Sequence, residues 1–429
     1  MSHPPRLKVR FHALALAVLA ATGLAAQEPP AGGAMPTLAV LPLRGVFQRP
    51  NPANRNYPGQ AQMPARPQQM PAGQGRMGQI QPQILSRVTL AFGLCALPAG
   101  VLATRMGMKR IMMLGLAISA LGHLLPCFLL QRFSHLLLAI LVIGIGMTCL
   151  LVAGNPLLRE VTGPARYARN LTFAQFVKSL GSITGPYLIA LIVALGYSWK
   201  GIFPLFTLIP LVALAIFAVV RIPETIPVVP ATFGDIFRLL KARSVRLKVL
   251  GIFLFVGSEM GMNTLLATHM WQTYGMSIEV DAIRYGQGLF WLAQGAGRIA
   301  GVVFLNWMDP RRFFLCCALA GLAGLAGMIF GTRAMAVAAV VLCGASFSNI
   351  WPCLFSILLG SRPHLPSEIA GLAVMANVGG AVLPLAMGLV ADLSAVRWSF
   401  LVPVAAFLYL VALALACQRQ RATPEGGVE

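Results

Sequence analysis

Long apolar runs recur along most of the chain and are separated by short polar segments. Eleven such runs can be read from the sequence, at residues 84–104, 110–130, 136–158, 171–196, 201–221, 247–270, 284–307, 312–331, 334–359, 367–391 and 397–418. Each is close to the roughly 20 residues that a helix needs to cross a bilayer. Because a spanning segment must satisfy its backbone hydrogen bonds internally, the pattern predicts an all-α polytopic membrane protein.

The N-terminal region differs from the rest. A shorter apolar run at residues 11–26 follows three basic residues and ends in small residues. It is interpreted either as a signal peptide or as a further transmembrane helix, which would bring the total to twelve. Residues 27–83 are rich in Pro, Gln, Gly and Arg, and this composition predicts disorder. A frame error or a wrong start in the gene is a third explanation of this region.

Composition excludes a soluble globular protein, because 57% of the residues are hydrophobic and only 10% are charged. The net charge of +21 does not indicate nucleic-acid binding, since the basic residues form short clusters between apolar runs rather than one face. The eight cysteines all lie in apolar runs without metal-ligand spacing. We therefore expect packing thiols, with no metal and no cofactor.

Basic clusters predict the topology. The hairpin at residues 98–110 carries three basic residues, and such residues stay on the cytoplasmic side. This orientation also puts a basic linker, 222–246, and the C-terminal tail, 419–429, in the cytoplasm. A similar hairpin recurs around residues 297–312, which predicts two similar halves, 84–221 and 247–418, in the cytoplasmic membrane.

The first hairpin also carries a motif, G-x-L-A-x-R-x-G-x-K-R. Its glycines and basic residues are Gly100, Arg105, Gly107, Lys109 and Arg110. The motif resembles the loop between helices 2 and 3 of the major facilitator superfamily, in which it takes part in gating. Thr104 stands where the family usually has Asp. In the second hairpin, Arg298 is expected to lie near the cytoplasmic end and to anchor the loop.

Further segments extend the resemblance through residues 84–418. The segment GNPLLREVTGPARYARNLTFAQFVKSLG contains Asn155-Pro156, which we expect to end the third span, and later blocks include FWLAQGAGRIAG and IAGLAVMANVGGAVLPLAMGLVAD. Together they resemble the fucose permease type of sugar:proton symporter. This resemblance implies two pseudo-symmetric halves that rock around a midplane site.

Glu259 is the one carboxylate well inside a predicted span. Buried charges in a membrane usually mark a functional path, so Glu259 is the candidate for proton coupling. The resemblance adds that Glu259 matches a G-x-E element of the family. It also implies a second carboxylate four residues before Asn155, where this chain has Leu151, and a third on the first helix, where residues 11–26 have none.

Polar side chains within the other spans are candidates for sugar binding, since amides suit hydroxyl groups. The candidates are Asn155, Gln175, Lys178, Asn263, Asn349 and Asn377. Phe290, Trp291 and Trp351 could present an aromatic face to a sugar ring. Each of these residues also has a structural interpretation, such as a kink at Asn155 or a pair between Lys178 and Glu259.

The sequence thus predicts a monomeric secondary transporter in lipid that moves a monosaccharide, with a proton as coupling ion. Three alternatives stay open: facilitated uniport, a transporter of another small solute with the same fold, and a degenerate sugar-binding sensor. An enzyme is not expected, because no span carries a Ser/His, paired-Asp or metal-like cluster.

Overall fold

The computed structural model describes residues 93–129, 133–195, 201–222, 232–277 and 281–422, nearly all of them helical. The expectations for residues 1–26 and 27–83 lie outside the described residues. Within them, helices occupy all eleven apolar runs that the sequence predicts. Eight of the described helices are long and apolar enough to cross a membrane.

Five α-helices lie in the described part of the N-terminal half: α1 (Gly93–Met106), α2 (Met108–Leu129), α3 (Phe133–Thr162), α4 (Tyr167–Ala194) and α5 (Ile202–Val219). The turn between α1 and α2 is a single residue, Gly107, whose φ is 89°. A side chain would be strained in that conformation, so glycine permits the abrupt reversal. We call the end of the helix bundle at which Gly107 lies the hairpin end.

The linker contains a short helix, α6 (Phe233–Leu239), that begins with a capping box. The backbone N–H and the hydroxyl of Thr232 both donate to the carboxylate of Asp235. These hydrogen bonds, led by that of the hydroxyl, hold the pKa of Asp235 below its usual value. The next helix begins at Arg243, inside the segment assigned to the linker.

The C-terminal half begins with α7 (Arg243–Tyr274) and continues to residue 422. Its other helices are α8 (Leu289–Phe304), α9 (Pro310–Phe330), α10 (Arg333–Ser361), α11 (Pro366–Met375), α12 (Gly379–Leu393), α13 (Val396–Ser399) and α14 (Leu401–Ala422). A π-helical segment, Ile283–Gly288, leads into α8, and a 3₁₀ turn, Ala376–Val378, joins α11 to α12. The prediction of a polytopic all-α fold is confirmed.

One predicted boundary is wrong. The sequence led us to expect that the third span ends at Asn155-Pro156, but α3 runs on to Thr162 with Pro156 inside it. A proline removes one backbone donor, and a membrane helix tolerates this because neighbouring helices continue to pack against it. The helix thereby carries Arg159 to the interface between the halves.

The two halves meet at the hairpin end. Gly100 of α1 lies against Gly371 of α11, so closely that a Cβ on Gly100 would approach the Cα of Gly371 to 3.4 Å. Nearby, Arg159 donates to the backbone oxygen of Leu359 at 3.0 Å. Arg169 donates to Asn306 Oδ1 at 2.7 Å, again from one half to the other. The structure is therefore closed at the hairpin end.

Candidate functional site

Glu259 on α7 is joined to Gln294 on α8. Gln294 Nε2 donates to Glu259 Oε1 at 2.5 Å, and the Gln294 side chain is fully buried while that of Glu259 is half-buried. A hydrogen bond from the amide offsets part of the free-energy cost of removing the carboxylate from water. The contact fixes the orientation of the carboxylate within the C-terminal half.

Arg298 lies one turn from Gln294 on the same face of α8. Its guanidinium Nη1 donates to Ser179 Oγ on α4, so the contact joins the two halves. The side chain is 9% exposed. The sequence placed Arg298 beside the second hairpin as an anchor. In the structure it lies before the last turn of α8, in the interface between the halves, and its anchoring role stays a prediction.

Lys178 brings a second cation to the same region. It precedes Ser179 on α4 and is half-buried. The charges of Arg298 and, less strongly, Lys178 act on the Glu259 carboxylate. The sequence left open whether Lys178 and Glu259 lie near each other, and the structure places them within electrostatic reach.

Several buried polar atoms near this cluster and elsewhere between the helices lack a hydrogen-bond partner among the described residues. On predicted site residues and their neighbours these atoms are Asn155 Nδ2, Thr172 Oγ1, Asn263 Oδ1, Gln294 Oε1, Arg298 Nε, Asn349 Oδ1 and Asn377 Oδ1. Buried polar groups are usually paired, so these atoms are available to a bound ligand or to water. The set offers both donors and acceptors, which suits a ligand that carries hydroxyl groups.

Asn263 lies one turn from Glu259 on α7. Its Nδ2 donates to the backbone oxygen of Glu259 at 3.0 Å, which fixes the amide and leaves Oδ1 unpaired among the described residues. The backbone oxygen of Asn263 accepts from Gln287 Nε2 of the π-helical segment. Asn263 is thus tied into the same polar region as Glu259.

Asn349 forms a packing contact between two helices of the C-terminal half. Its Nδ2 donates to the backbone oxygen of Gly297 at 2.8 Å and so joins α10 to α8. Gly301 supports this contact, because a Cβ there would approach Asn349 Oδ1 to 2.0 Å. The geometry gives Asn349 a packing role, and its part in sugar binding stays a prediction.

The other predicted site residues lie on separate elements. Asn155 is buried on α3, and Gln175 is half-buried on α4, where its backbone oxygen accepts from Ser179 at 3.0 Å. Asn377 is half-buried in the 3₁₀ turn that follows α11. No hydrogen bond between the described residues joins Asn155 or Asn377 to Glu259. Their roles in binding stay predictions.

The residues of the first hairpin surround the contact of Gly100 with the other half. The basic residues range from half-buried to exposed: Arg105, Lys109 and Arg110. Thr104, which stands in place of the family's Asp, is buried and donates to the backbone oxygen of Val101 at 2.8 Å. The neutral hydroxyl is therefore accommodated within its own helix, and a gating role for this loop stays a prediction.

Three further residues from the sequence analysis, Leu151, Phe290 and Trp351, pack against apolar or aromatic side chains. Leu151 packs against an apolar cluster of the N-terminal half. Phe290 is fully buried, and its ring makes an edge contact with that of Phe347 at 5.8 Å, so it packs within the core. Trp351 lies beside Phe355, with ring centroids 4.8 Å apart.

Sequence reasoning missed Gln294 and Ser179. Both lie in segments that the resemblance had singled out, and Gln294 precedes Arg298 by four residues. A polar residue one turn from a buried cation on an otherwise apolar helix was a usable signal. The partners on the other helices could not be found without the structure.

Known proteins resemble the chain over most of its length. The glucose/galactose transporter of Brucella abortus is 28% identical over 338 residues, which cover 75% of this chain and 81% of that protein. The L-fucose-proton symporter of Haemophilus influenzae is 23% identical over 364 residues, with 74% and 83% covered.

Solved structures show the same fold. The structure of the fucose:proton symporter FucP of E. coli matches with a TM-score of 0.73 at 20% identity, covering 94% of this chain and 98% of that one. A structure of FucP in the outward conformation matches equally well, with a TM-score of 0.73. The Major Facilitator Superfamily profile matches residues 79–363, which is more than half of the 429 residues. The chain therefore belongs to the Major Facilitator Superfamily.

Proposed function

We propose that the protein carries a monosaccharide across the cytoplasmic membrane by alternating access and couples this movement to a proton at Glu259. The observation that carries the proposal is the cluster of Glu259, Gln294 and Arg298, which lies where the C-terminal half meets α4 of the N-terminal half. A carboxylate at this place can change its charge in step with the movement of the halves.

A sugar is the substrate class that best fits the unpaired groups. Asn263 Oδ1 and Gln294 Oε1 are acceptors near the carboxylate, and Arg298 Nε is a donor; all three lack partners among the described residues. Hydroxyl groups can both donate and accept, so a sugar could pair with each of them. The names of the relatives, glucose/galactose transporter and L-fucose-proton symporter, point to the same class.

The contacts between the halves support an outward-facing state. Hydrogen bonds from Arg159 and Arg169 close the hairpin end, which the basic residues assign to the cytoplasm. On this orientation the C-terminus is also cytoplasmic. The transport cycle then requires these contacts to break and the opposite end to close.

Glu259 is the coupling residue because no other acidic residue of the sequence lies well inside an apolar run. Of the twelve acidic residues, it alone lies well inside one of the eleven apolar runs. A proton from the outside converts its carboxylate to the neutral acid, which is less costly to hold in a closed, dry site. Release of that proton to the cytoplasm resets the carrier.

Uptake by the purified protein in proteoliposomes tests this proposal. Labelled glucose, galactose and L-fucose are supplied separately, with and without an inward proton gradient. Accumulation above the external concentration, only with the gradient, is the expected result for at least one sugar. Glu259→Gln should abolish accumulation and retain exchange of sugar at equal concentrations.

The other outcomes separate the alternatives. Equilibration that ignores the gradient means uniport and overturns proton coupling. Binding of a sugar without flux means a sensor. Neither binding nor flux with all three sugars overturns the monosaccharide assignment.

A further inference from the structure

We propose that Arg298 is the positioning residue that links the charge of Glu259 to the movement of the two halves, by exchanging Ser179 for Glu259 as its partner. This inference rests on the proposed function and adds the device that would release the proton. It starts from the hydrogen bond that Arg298 donates to Ser179 across the interface between the halves.

Arg298 stands between two partners that belong to different halves. Ser179 on α4 accepts its hydrogen bond, whereas Glu259 on α7 interacts with it only through its charge, without an ion-pair contact between these two described residues. Arg298 and Glu259 belong to the same half and stay near each other when the halves move. Ser179 moves away with the N-terminal half.

A buried arginine needs a partner at all times, because an unpaired charge in this environment is costly. Its Nε already lacks a partner among the described residues. When the halves separate at the hairpin end, Arg298 loses Ser179, and the Glu259 carboxylate is the acceptor that remains within its own half. Gln294, one turn away on α8, keeps Glu259 directed toward that helix.

The exchange of partners has a direction. With Arg298 held by Ser179, the carboxyl group takes a proton from water on the outer side. With Arg298 freed, its positive charge stabilises the carboxylate, and the proton leaves to water on the cytoplasmic side. One proton is taken up and one is released in each cycle, and the guanidinium keeps its own.

Other charged groups near Glu259 do not provide this switch. Lys178 also acts on the carboxylate, but it belongs to the N-terminal half and moves with it. The other described segments packed against α7 carry their charged residues at or near helix ends: Arg284, Arg333, Glu368, Asp392, Arg397, Arg419 and Arg421. Arg298 is thus the charged neighbour that belongs to the same half as Glu259 and lies away from a helix end.

The test is the dependence of proton-driven uptake on external pH, measured in proteoliposomes with the sugar that the wild type transports best. Uptake falls as the pH rises through the value at which Glu259 loses its proton. Arg298→Gln removes a cation, favours the protonated acid and should shift the midpoint of the profile by about one pH unit to higher pH. Ser179→Ala frees Arg298 toward Glu259 and should shift the midpoint by about one unit to lower pH.

Two further variants separate positioning from simple charge. Arg298→Lys keeps the charge and should return the midpoint close to that of the wild type. Lys178→Gln removes the other cation. In the double variant with Lys178→Gln, Ser179→Ala should still shift the midpoint of the pH profile to lower pH. Combined with Arg298→Gln, Ser179→Ala should have no further effect, because its action passes through the guanidinium. Size-exclusion chromatography in detergent gives the amount of folded carrier for each variant, and uptake is normalised to it.

A purely structural arginine would give a different result. Arg298→Gln and Ser179→Ala would then slow uptake without moving the midpoint, and this outcome overturns the inference. If Glu259→Gln still uncouples transport in the same experiment, the proposed function survives without this device. If the wild-type profile is flat, proton coupling itself is wrong.

Discussion

Arg159 donates a hydrogen bond to the backbone oxygen of Leu359 at 3.0 Å and thereby joins α3 of one half to the last turn of α10 in the other. The last carbonyl groups of a helix have no partner within the helix, and a cation there also meets the negative end of the helix dipole. The contact thus satisfies an acceptor that would otherwise need water. It exists only while the halves are closed at this end.

The first prediction concerns this contact. Arg159→Ala removes a charge-assisted hydrogen bond, worth roughly 1.5–3 kcal/mol, and should favour opening at the hairpin end about tenfold or more. A cysteine at Ser367, which is 3% exposed between the halves, reports the opening. Ser367→Cys should react with a water-soluble maleimide about tenfold faster when Arg159→Ala is also present.

Its matched control is Arg166→Ala. Arg166 is exposed in the short 3₁₀ turn between α3 and α4, and its side chain makes no hydrogen bond with another described residue. Labelling of Ser367→Cys should be unchanged by this substitution, and the protein without Ser367→Cys gives the background from native cysteines. Equal labelling with Arg159→Ala and Arg166→Ala would contradict a closing role for Arg159.

A second prediction concerns the close packing of α8 on α10. A Cβ at Gly297 would approach the backbone oxygen of Ala345 to 2.6 Å. Moving either helix backbone to make room costs free energy, so Gly297→Ala should destabilise the protein by about 1–3 kcal/mol. It should also weaken the contact with Asn349. The thermal unfolding midpoint in detergent measures the effect.

Gly295→Ala is the control on the same helix. A Cβ at Gly295 would meet no atom within 4 Å. Since alanine favours the helix over glycine by about 1 kcal/mol, Gly295→Ala should leave the unfolding midpoint unchanged or raise it. A drop of similar size in both variants would mean that helix-wide effects, and not the approach to Ala345, determine the result.

The sequence predicted the fold well because a bilayer imposes a simple rule. Apolar runs of spanning length must be helices, and their positions follow directly from hydropathy. The predicted boundary at Asn155-Pro156 was wrong, because a membrane helix tolerates a proline that would end many helices in water. Local sequence could not tell a kink from an end.

The candidate site was predictable only in part. Glu259 could be singled out, because a carboxylate within an apolar run costs free energy in the membrane and is usually found only where it has a function. The contacts of this cluster could not be predicted, since Gln294 and Arg298 lie on another helix and Ser179, the partner of Arg298, lies in the other half. Asn349 shows the opposite difficulty, because a polar residue in a span can equally well serve packing, as its hydrogen bond to Gly297 does.

The last prediction separates these two uses of asparagine. Asn263 has its Nδ2 bonded within α7 and its Oδ1 unpaired among the described residues, so Asn263→Ala should remove a contact to the sugar without loosening the helices. We expect about a tenfold higher KM for uptake, which corresponds to one hydrogen bond of roughly 1.4 kcal/mol, at an unchanged unfolding midpoint. Asn349→Ala should lower the unfolding midpoint, because it breaks a contact between α8 and α10. Thr264→Ala serves as the control beside Asn263, since the Thr264 hydroxyl is already bonded to the backbone oxygen of Met260 at 2.9 Å. An equal rise in KM for Asn263→Ala and Thr264→Ala would mean that Asn263 does not contact the substrate.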